Sequence, residues 1–113
     1  MPTLSIRVDL DDERRIGPGK IELLEKIQQH GSISAGGRAM GMSYKRAWDL
    51  VDEISRTCGQ PVVASQVGGA RGGGATLTPL GLSLIKRYRD LERAVADAAK
   101  PHLNSLKRDI GRR

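Results

Sequence analysis

The stretch that decides the fold runs from residue 32 to residue 54 and reads SISAGGRAMGMSYKRAWDLVDEI. Its first part is short and rich in small residues, with Ser32 and Ser34 as candidate N-caps. After Gly41, a second segment places apolar residues on one helical face, at Ala47, Leu50, Val51 and Ile54. Two helices that cross steeply need a glycine in the turn and almost no side chain where they touch, which Gly41 and Gly37 provide. The stretch therefore predicts a helix-turn-helix, with an ordinary helical hairpin as the alternative.

The residues before this stretch predict one strand and one helix. From residue 3 to residue 10 every second side chain is apolar, which is the period of a half-buried strand: Leu4, Ile6, Val8 and Leu10. The charged run DDERR then predicts a solvated turn. After Pro18, a helix of about three turns extends to a stop at Gly31.

Two β-prone segments follow the second helix of the pair, over residues 61–67 and 75–78, with the run GGARGGG between them. A strand, a glycine-rich turn and a second strand predict a hairpin. Directly after a helix-turn-helix, such a hairpin is a wing whose tip can reach phosphate or the minor groove. The alternative for the glycines is a phosphate-binding loop, which ends in a lysine followed by Ser or Thr. Here Ala75 and Thr76 follow instead, so we expect a wing.

The longest predicted helix begins with Thr78 as its cap and Pro79 at its first position. Apolar residues recur along it at spacings of three and four, as in a heptad seam: Leu84, Tyr88, Leu91, Val95 and Ala98. The same helix of a second copy is the simplest cover for this seam, and packing back on its own domain is the alternative. Pro101 is expected to end or kink the helix. We therefore divide the chain into a winged helix-turn-helix domain, residues 1–78, and a dimerisation helix with a basic tail, residues 79–113.

The charge of the chain is unevenly placed. The net charge is +6, but residues 1–58 carry nine cations and nine acids, whereas residues 59–113 carry ten cations and four acids. A basic half indicates an acidic partner, and nucleic acid is the commonest one for a small soluble protein. We therefore expect double-stranded DNA as a partner.

Composition excludes several other classes of protein. The single cysteine, Cys58, rules out a disulfide framework and a multi-cysteine metal site. No segment resembles a signal peptide or approaches the roughly 20 apolar residues of a membrane span, so we expect a cytoplasmic protein without membrane contact. His30 and His102 are isolated from other catalytic residue types. We expect no enzyme activity, no cofactor and no metal.

Two runs of the sequence together resemble a known family. They are GSISAGGRAMGMSYKRAWDLVDEI, residues 31–54, and GGARGGGATLTPLGLSLIKRY, residues 68–88. Both look like the N-terminal DNA-binding domain of the ModE-type molybdate-responsive transcriptional regulators, and the helix-turn-helix is also similar to that of LysR-type regulators. The resemblance covers most of the chain, and it implies a mainly α fold with a small β-hairpin, that is, a winged helix-turn-helix with a long C-terminal dimerisation helix.

The resemblance also implies regulation at a palindromic operator and, for the family, C-terminal molybdate-binding domains. Residues 1–113 contain no such domain. We therefore expect that the protein either binds DNA without sensing molybdate or depends on a separate ligand-sensing polypeptide.

The main candidate DNA contacts lie where the second helix of the pair begins. The first turn of a recognition helix faces base edges and its flanks meet phosphates, which here selects Ser43, Tyr44, Lys45 and Arg46. The resemblance points to Tyr44 and Lys45 in the same role. Asp49 lies four residues after Lys45, where it either orients that lysine, accepts from a cytosine amino group, or is a solvated carboxylate.

Further candidates lie outside this turn. Arg38, in the first helix of the pair, can contact phosphate across the groove edge. In the wing, Arg71 supplies a charge, while Gly72 and Gly73 permit close approach to the sugar-phosphate wall. Trp48 lies beside the apolar stripe, and we expect it to pack at the edge of a core that has no Phe, with DNA contact as the alternative.

The sequence thus predicts a DNA-binding transcriptional regulator that acts as a homodimer, and the resemblance suggests molybdenum- or oxyanion-related target genes. The alternative is a winged-helix protein-interaction module, or a partner of a separate sensor polypeptide, that does not bind an operator by itself. The cationic turn at Lys45 and Arg46, together with Arg71, argues for DNA binding.

Overall fold

A computed structural model describes residues 3–66 and 74–111 of the chain. In this part of the chain, four helices and two small antiparallel sheets follow one another as β1 (Val8–Asp9), β2 (Arg15–Ile16), α1 (Pro18–His30), α2 (Ile33–Ala39), α3 (Tyr44–Cys58), β3 (Val63–Gln66), β4 (Gly74–Leu77) and α4 (Pro79–Ile110). The predicted fold class, mainly α with a small β-hairpin, is confirmed.

Local capping decides where the helices of the helix-turn-helix begin. The Ser32 hydroxyl accepts from the backbone N–H of Ala35 at 3.0 Å, and the Ser43 hydroxyl accepts from that of Arg46 at 3.1 Å. Each bond satisfies an N–H that the first turn of a helix leaves without a partner. Of the two predicted caps for α2, Ser32 is therefore the one that the structure uses.

The crossing of α2 and α3 depends on glycines, as the sequence predicts. Gly41, in the turn, has φ of 72°, a left-handed conformation that other residues adopt at a cost. A Cβ placed on Gly37 would lie 2.6 Å from the Cβ of Ala47, so the two helices touch where no side chain intervenes. This close approach fixes how α3 is held against α2.

The core lies under the helix-turn-helix and extends to the hairpin and α4. Its largest fully buried side chains come from α1, α3 and the residue before β3: Ile21, Leu23, Leu24, Ile27, Ile54 and Val62. The hairpin is fixed to α1 because the backbone N–H of Ala75 donates to the carbonyl of Gly31 at 2.9 Å. Strands β3 and β4 pair from Val63↔Leu77 to Gln66↔Gly74, so two strands of a wing are present as predicted.

The N-terminal strand is shorter than predicted. Only Val8–Asp9 pairs, with Arg15–Ile16, and the side chain of Leu4 is 40% exposed. The carboxylate of Asp11 accepts from two backbone N–H groups of the following residues, which forms the tight turn between these strands. The predicted length of the half-buried strand, residues 3–10, is therefore wrong. Among the described residues its only partner is the two-residue strand β2, which is too short to pair with all of it.

Helix α4 differs from the prediction at two points. It continues through Pro101 to Ile110, so of the two effects predicted for this proline the helix end is wrong. A proline inside a helix removes one backbone hydrogen bond, and the later turns of this 32-residue helix are largely solvent-exposed. Its first three turns pack on the chain's own core, where Tyr88 is 4% exposed and its hydroxyl donates to the carbonyl of Ile6 at 2.5 Å. The guanidinium of Arg89 also bonds the carboxylate of Glu25 in α1, with contacts of 2.6 and 3.1 Å.

Candidate nucleic-acid interface

Helix α3 presents a charged face opposite its buried one. Its buried residues are Ala47, Leu50, Val51, Ile54 and Thr57. At about 100° per residue, the side chains on the opposite side are those of Lys45, Asp49, Asp52 and Arg56. These four side chains are 85%, 47%, 42% and 74% exposed, so α3 offers a charged surface with the dimensions that fit a major groove.

The first turn of α3 holds the predicted contacts together. Ser43 caps the helix, Tyr44 is 57% exposed at its first position, and Lys45 and Arg46 are exposed beside it. The ammonium of Lys45 lies 3.1 Å from the carboxylate of Asp49, so the orienting role considered for Asp49 has a matching contact in the structure. The N–H and O–H groups of Tyr44, Lys45 and Arg46 are donors of the kind that bind base-edge acceptors or phosphate oxygens, whereas the carboxylate of Asp49 accepts.

The other predicted DNA contacts do not belong to the first turn of α3. Arg38 is exposed in the last turn of α2, where its guanidinium donates to the hydroxyl of Ser34 at 3.3 Å. Arg71, Gly72 and Gly73 lie outside the residues that the structure describes, so the predicted role of the wing tip stays a prediction.

Trp48 lies at the edge of the core, where it borders Val51 and Val63 and stays half exposed. It is 46% exposed and lines a groove of about 210 Å³ between α3 and β3, together with Val51, Asp52 and Val63. Its position is one step around the helix from the buried stripe, and the core is already filled there by the aliphatic side chains of α1 and α3. The indole therefore flanks the charged face of α3 on the side of the hairpin.

A second groove follows the other flank of α3, and sequence reasoning missed it. Its volume is about 480 Å³, and its cationic side chains are Arg7, Arg15, Lys20 and Arg46. The ammonium of Lys20 lies 2.8 Å from the carboxylate of Glu53, and this bond holds the pKa of Glu53 below its usual value. The cations come from four separate segments within a half of the chain that has no net charge, so no local pattern signals them.

The predicted dimer seam divides into two parts. Leu84 packs against the core and Tyr88 is buried in it, so Tyr88 is an internal residue rather than a dimer contact of the predicted kind. Beyond them, Leu91 is 39% exposed, Val95 is half-buried and Ala98 is exposed. The prediction for Tyr88 failed because helical spacing shows which residues share a face but not what covers that face.

The described residues contain neither a metal-binding cluster nor a membrane-spanning helix. No group of three or more His, Cys, Asp and Glu side chains among residues 3–66 and 74–111 lies close enough to hold a metal ion. Nor is any helix in these ranges long and apolar enough to span a bilayer. Cys58 is half-buried, and burial raises the pKa of its thiol, which disfavours the reactive thiolate.

The names of known proteins similar to this chain refer to molybdenum or to transcriptional regulation. The molybdenum-pterin-binding protein MopB of Rhodobacter capsulatus is 43% identical over 95 residues, covering 84% of this chain and 35% of MopB. The molybdenum transport protein ModE of Azotobacter vinelandii is 33% identical, with coverages of 88% and 38%. The DNA-binding transcriptional dual regulator ModE of Escherichia coli K12 is 44% identical over 71 residues, with coverages of 63% and 27%. The chain spans about a third of the length of these relatives.

The fold is also found among solved structures, although no family model matches the chain. A mutant of MepR from S. aureus, a winged-helix protein, superposes with a TM-score of 0.52 at 15% identity, over 85% of this chain and 75% of MepR. At that identity the likeness concerns the fold alone. Sequence matches and fold together confirm that this chain resembles the winged helix-turn-helix domain of ModE-type transcriptional regulators.

Proposed function

We propose that this chain binds double-stranded DNA sequence-specifically through α3 and regulates transcription as a homodimer at a palindromic operator. The observation that carries the proposal is the first turn of α3, where a capped helix start presents Lys45 and Arg46 to solvent beside the ordered Lys45–Asp49 pair. Lys45 is 85% exposed, so its ammonium is accessible to a base edge or a phosphate.

The relatives support the same role. One of them is named a DNA-binding transcriptional dual regulator, and others are named for molybdenum transport or molybdenum-pterin binding. We infer that molybdenum- or oxyanion-related genes are the first targets to test. With chromosomal DNA as the partner, the protein acts in the cytoplasm, and its chemistry is binding rather than catalysis.

Fluorescence anisotropy with the DNA upstream of the protein's own gene tests operator binding. We expect tight binding by the wild type and a loss of roughly 1–3 kcal/mol for Lys45→Ala, the range of one good base contact. Lys100→Ala, which removes the same charge from an exposed turn of α4, is the matched control and should bind like the wild type. Equal affinity of the Lys45 and Lys100 variants would refute a role for α3 in recognition.

The exposed half of α4 supports dimerisation. The side of α4 that contains the buried Tyr88 continues along the free part of the helix with Leu91, Val95, Leu103 and Leu106, of which Leu91 and Leu106 are 39% and 53% exposed. A second copy of α4 would cover this stripe. Light scattering should give the mass of two chains for the wild type and of one chain for Leu91→Glu. A monomeric wild type at tens of micromolar would instead favour a separate polypeptide on this stripe.

A further inference from the structure

Helix α3 lies between two grooves of different chemistry. The groove on the hairpin side is bordered by Trp48 and Val63. The groove on the other side is formed by the strands β1 and β2, the start of α1, and the flank of α3 that carries Arg46. We call this second one the basic groove, and its cations are Arg7, Arg15, Lys20 and Arg46.

The basic groove keeps a positive excess after its ion pairs are counted. Arg7 and Arg15 share one carboxylate, that of Asp9, at 2.8 Å and 3.7 Å. Lys20 pairs with Glu53, the acidic residue of the groove lining. Within the groove lining four cations face one carboxylate, that of Glu53, and Arg46 adds its charge where α3 begins. On its other side, Arg15 borders a pocket lined by Asp9, Asp11 and Asp12.

The shape of the groove suits a sugar-phosphate chain. Its volume of about 480 Å³ is open to solvent, and its lining includes the apolar side chains of Met40, Met42 and Leu50 for a sugar to pack on. Gly19 contributes no side chain to the wall at the start of α1, and a Cβ there would meet no atom within 4 Å. The sugar-phosphate backbone of a nucleic acid can thus approach this wall closely.

A helix in the major groove is bordered by two sugar-phosphate strands, one on each side. In this fold the hairpin stands on one side of α3 and the basic groove on the other. We propose that the basic groove binds the DNA strand that borders the major groove on the side away from the hairpin, with Arg7, Arg15 and Lys20 as phosphate contacts. This inference rests on the proposed function, because it takes α3 as the element that enters the major groove.

Glu53 limits the strength of this contact. Its carboxylate holds Lys20 in an ion pair in the free protein, and it lies in the lining that the phosphates would approach. DNA must therefore compete with Glu53 for Lys20 and is repelled by the carboxylate. Replacing this carboxylate by a neutral amide is expected to strengthen DNA binding, the opposite of what removing a groove cation does.

The test uses a fluorescein-labelled duplex of arbitrary sequence, so that no operator need be known. Its length of about 20 base pairs leaves room for both subunits of a dimer. Affinity is measured between about 50 and 200 mM salt, because each phosphate contact contributes about −0.9 to the slope of log affinity against log salt. The Arg7→Gln/Arg15→Gln variant is expected to flatten the slope by about 1.8 and to bind several-fold more weakly at the lowest salt. Both side chains are more than half exposed, so the fold tolerates their exchange.

Lys100→Gln/Lys107→Gln is the matched control, since it removes two charges from exposed turns of α4. The proposal predicts a wild-type slope for this control and a steeper slope with tighter binding for Glu53→Gln. If the arginine variant behaves like the control while the wild type binds the duplex, the basic groove is not a DNA contact and the proposed function stands. If the wild type fails to bind any duplex at the lowest salt, both proposals fall. A weakened Glu53→Gln variant would overturn the groove proposal on its own.

Discussion

Gly37→Ala is the most informative single change, because it adds one methyl group where α2 crosses α3. The new Cβ would lie 2.6 Å from the Cβ of Ala47, whereas ordinary contacts of this kind are 3.4–4 Å. Both atoms are attached directly to helix backbones, so no rotamer relieves the overlap and the helices must separate by about 1 Å. Overpacking of this kind lowers the free energy of unfolding by about 1–3 kcal/mol. Replacing a helical glycine by alanine raises it by up to about 1 kcal/mol through helix propensity.

We therefore expect Gly37→Ala to lower the free energy of unfolding by about 1–2 kcal/mol and the Tm by roughly 5–10 °C for a chain of this size. Urea and thermal unfolding followed by circular dichroism measure both values. The protein concentration is kept equal, since the Tm of a dimer depends on it.

A double-mutant cycle separates this overlap from a general effect of the new alanine. Ala47→Gly removes the opposing methyl and alone costs about 1–2 kcal/mol through helix propensity and lost burial. In the double variant the overlap is absent, so the two changes should couple favourably by about 1–2 kcal/mol. Additivity of the two changes to within about 0.5 kcal/mol would show that the Gly37–Ala47 contact does not set the crossing of α2 and α3.

Three further changes test other parts of the structure. Gly81→Ala places a Cβ 2.3 Å from the backbone oxygen of Val62, so it should lower the free energy of unfolding in urea by more than about 2 kcal/mol. The control Gly19→Ala places a Cβ that meets no atom within 4 Å, and it should raise this free energy by about 0.4–1 kcal/mol. Similar effects of the two substitutions would contradict the packing of α4. Tyr88→Phe should cost about 1 kcal/mol. Burial raises the pKa of Tyr88 above 10.0, so wild-type stability falls as pH rises from that value towards the raised one, and a pH series should show a smaller alkaline loss for the Phe variant. Ser43→Ala should cost about 1 kcal/mol by loss of the cap, while Ser43→Asp should keep the stability but weaken DNA binding, because its carboxylate repels phosphate; equal stability of all three proteins would refute the cap.

The sequence predicts capping and turn chemistry correctly because these interactions act within three or four residues. Thr78 accepts from the N–H of Gly81 at 3.1 Å and begins α4 where the sequence indicated. Ser32 and Ser43 do the same for the helix-turn-helix. In each case the donor and acceptor belong to the same short segment, so the cap forms without a contact from a distant part of the chain.

Local sequence patterns do not predict features that depend on distant neighbours. The spacing of Leu84, Tyr88 and Leu91 shows that they share a face of α4, but β1, β2 and α1 decide that Tyr88 is covered by its own chain. Trp48 is left half-exposed because aliphatic side chains from other elements already fill the core beside it. Burial is a property of the assembled elements, and periodicity within one helix cannot specify it.

By itself, the sequence determined the helix starts, the glycine-dependent crossing at Gly37, and the strand pairing of the hairpin, since local hydrogen bonds and side-chain size decide all three. The tertiary structure alone decided which half of α4 is free. It also brought Arg7, Arg15, Lys20 and Arg46 to one flank of α3. The physical reason is that the potential at a surface depends on which charges are close in space. Cations from four segments of a half-chain without net charge therefore form a positive surface where they outnumber the acids beside them.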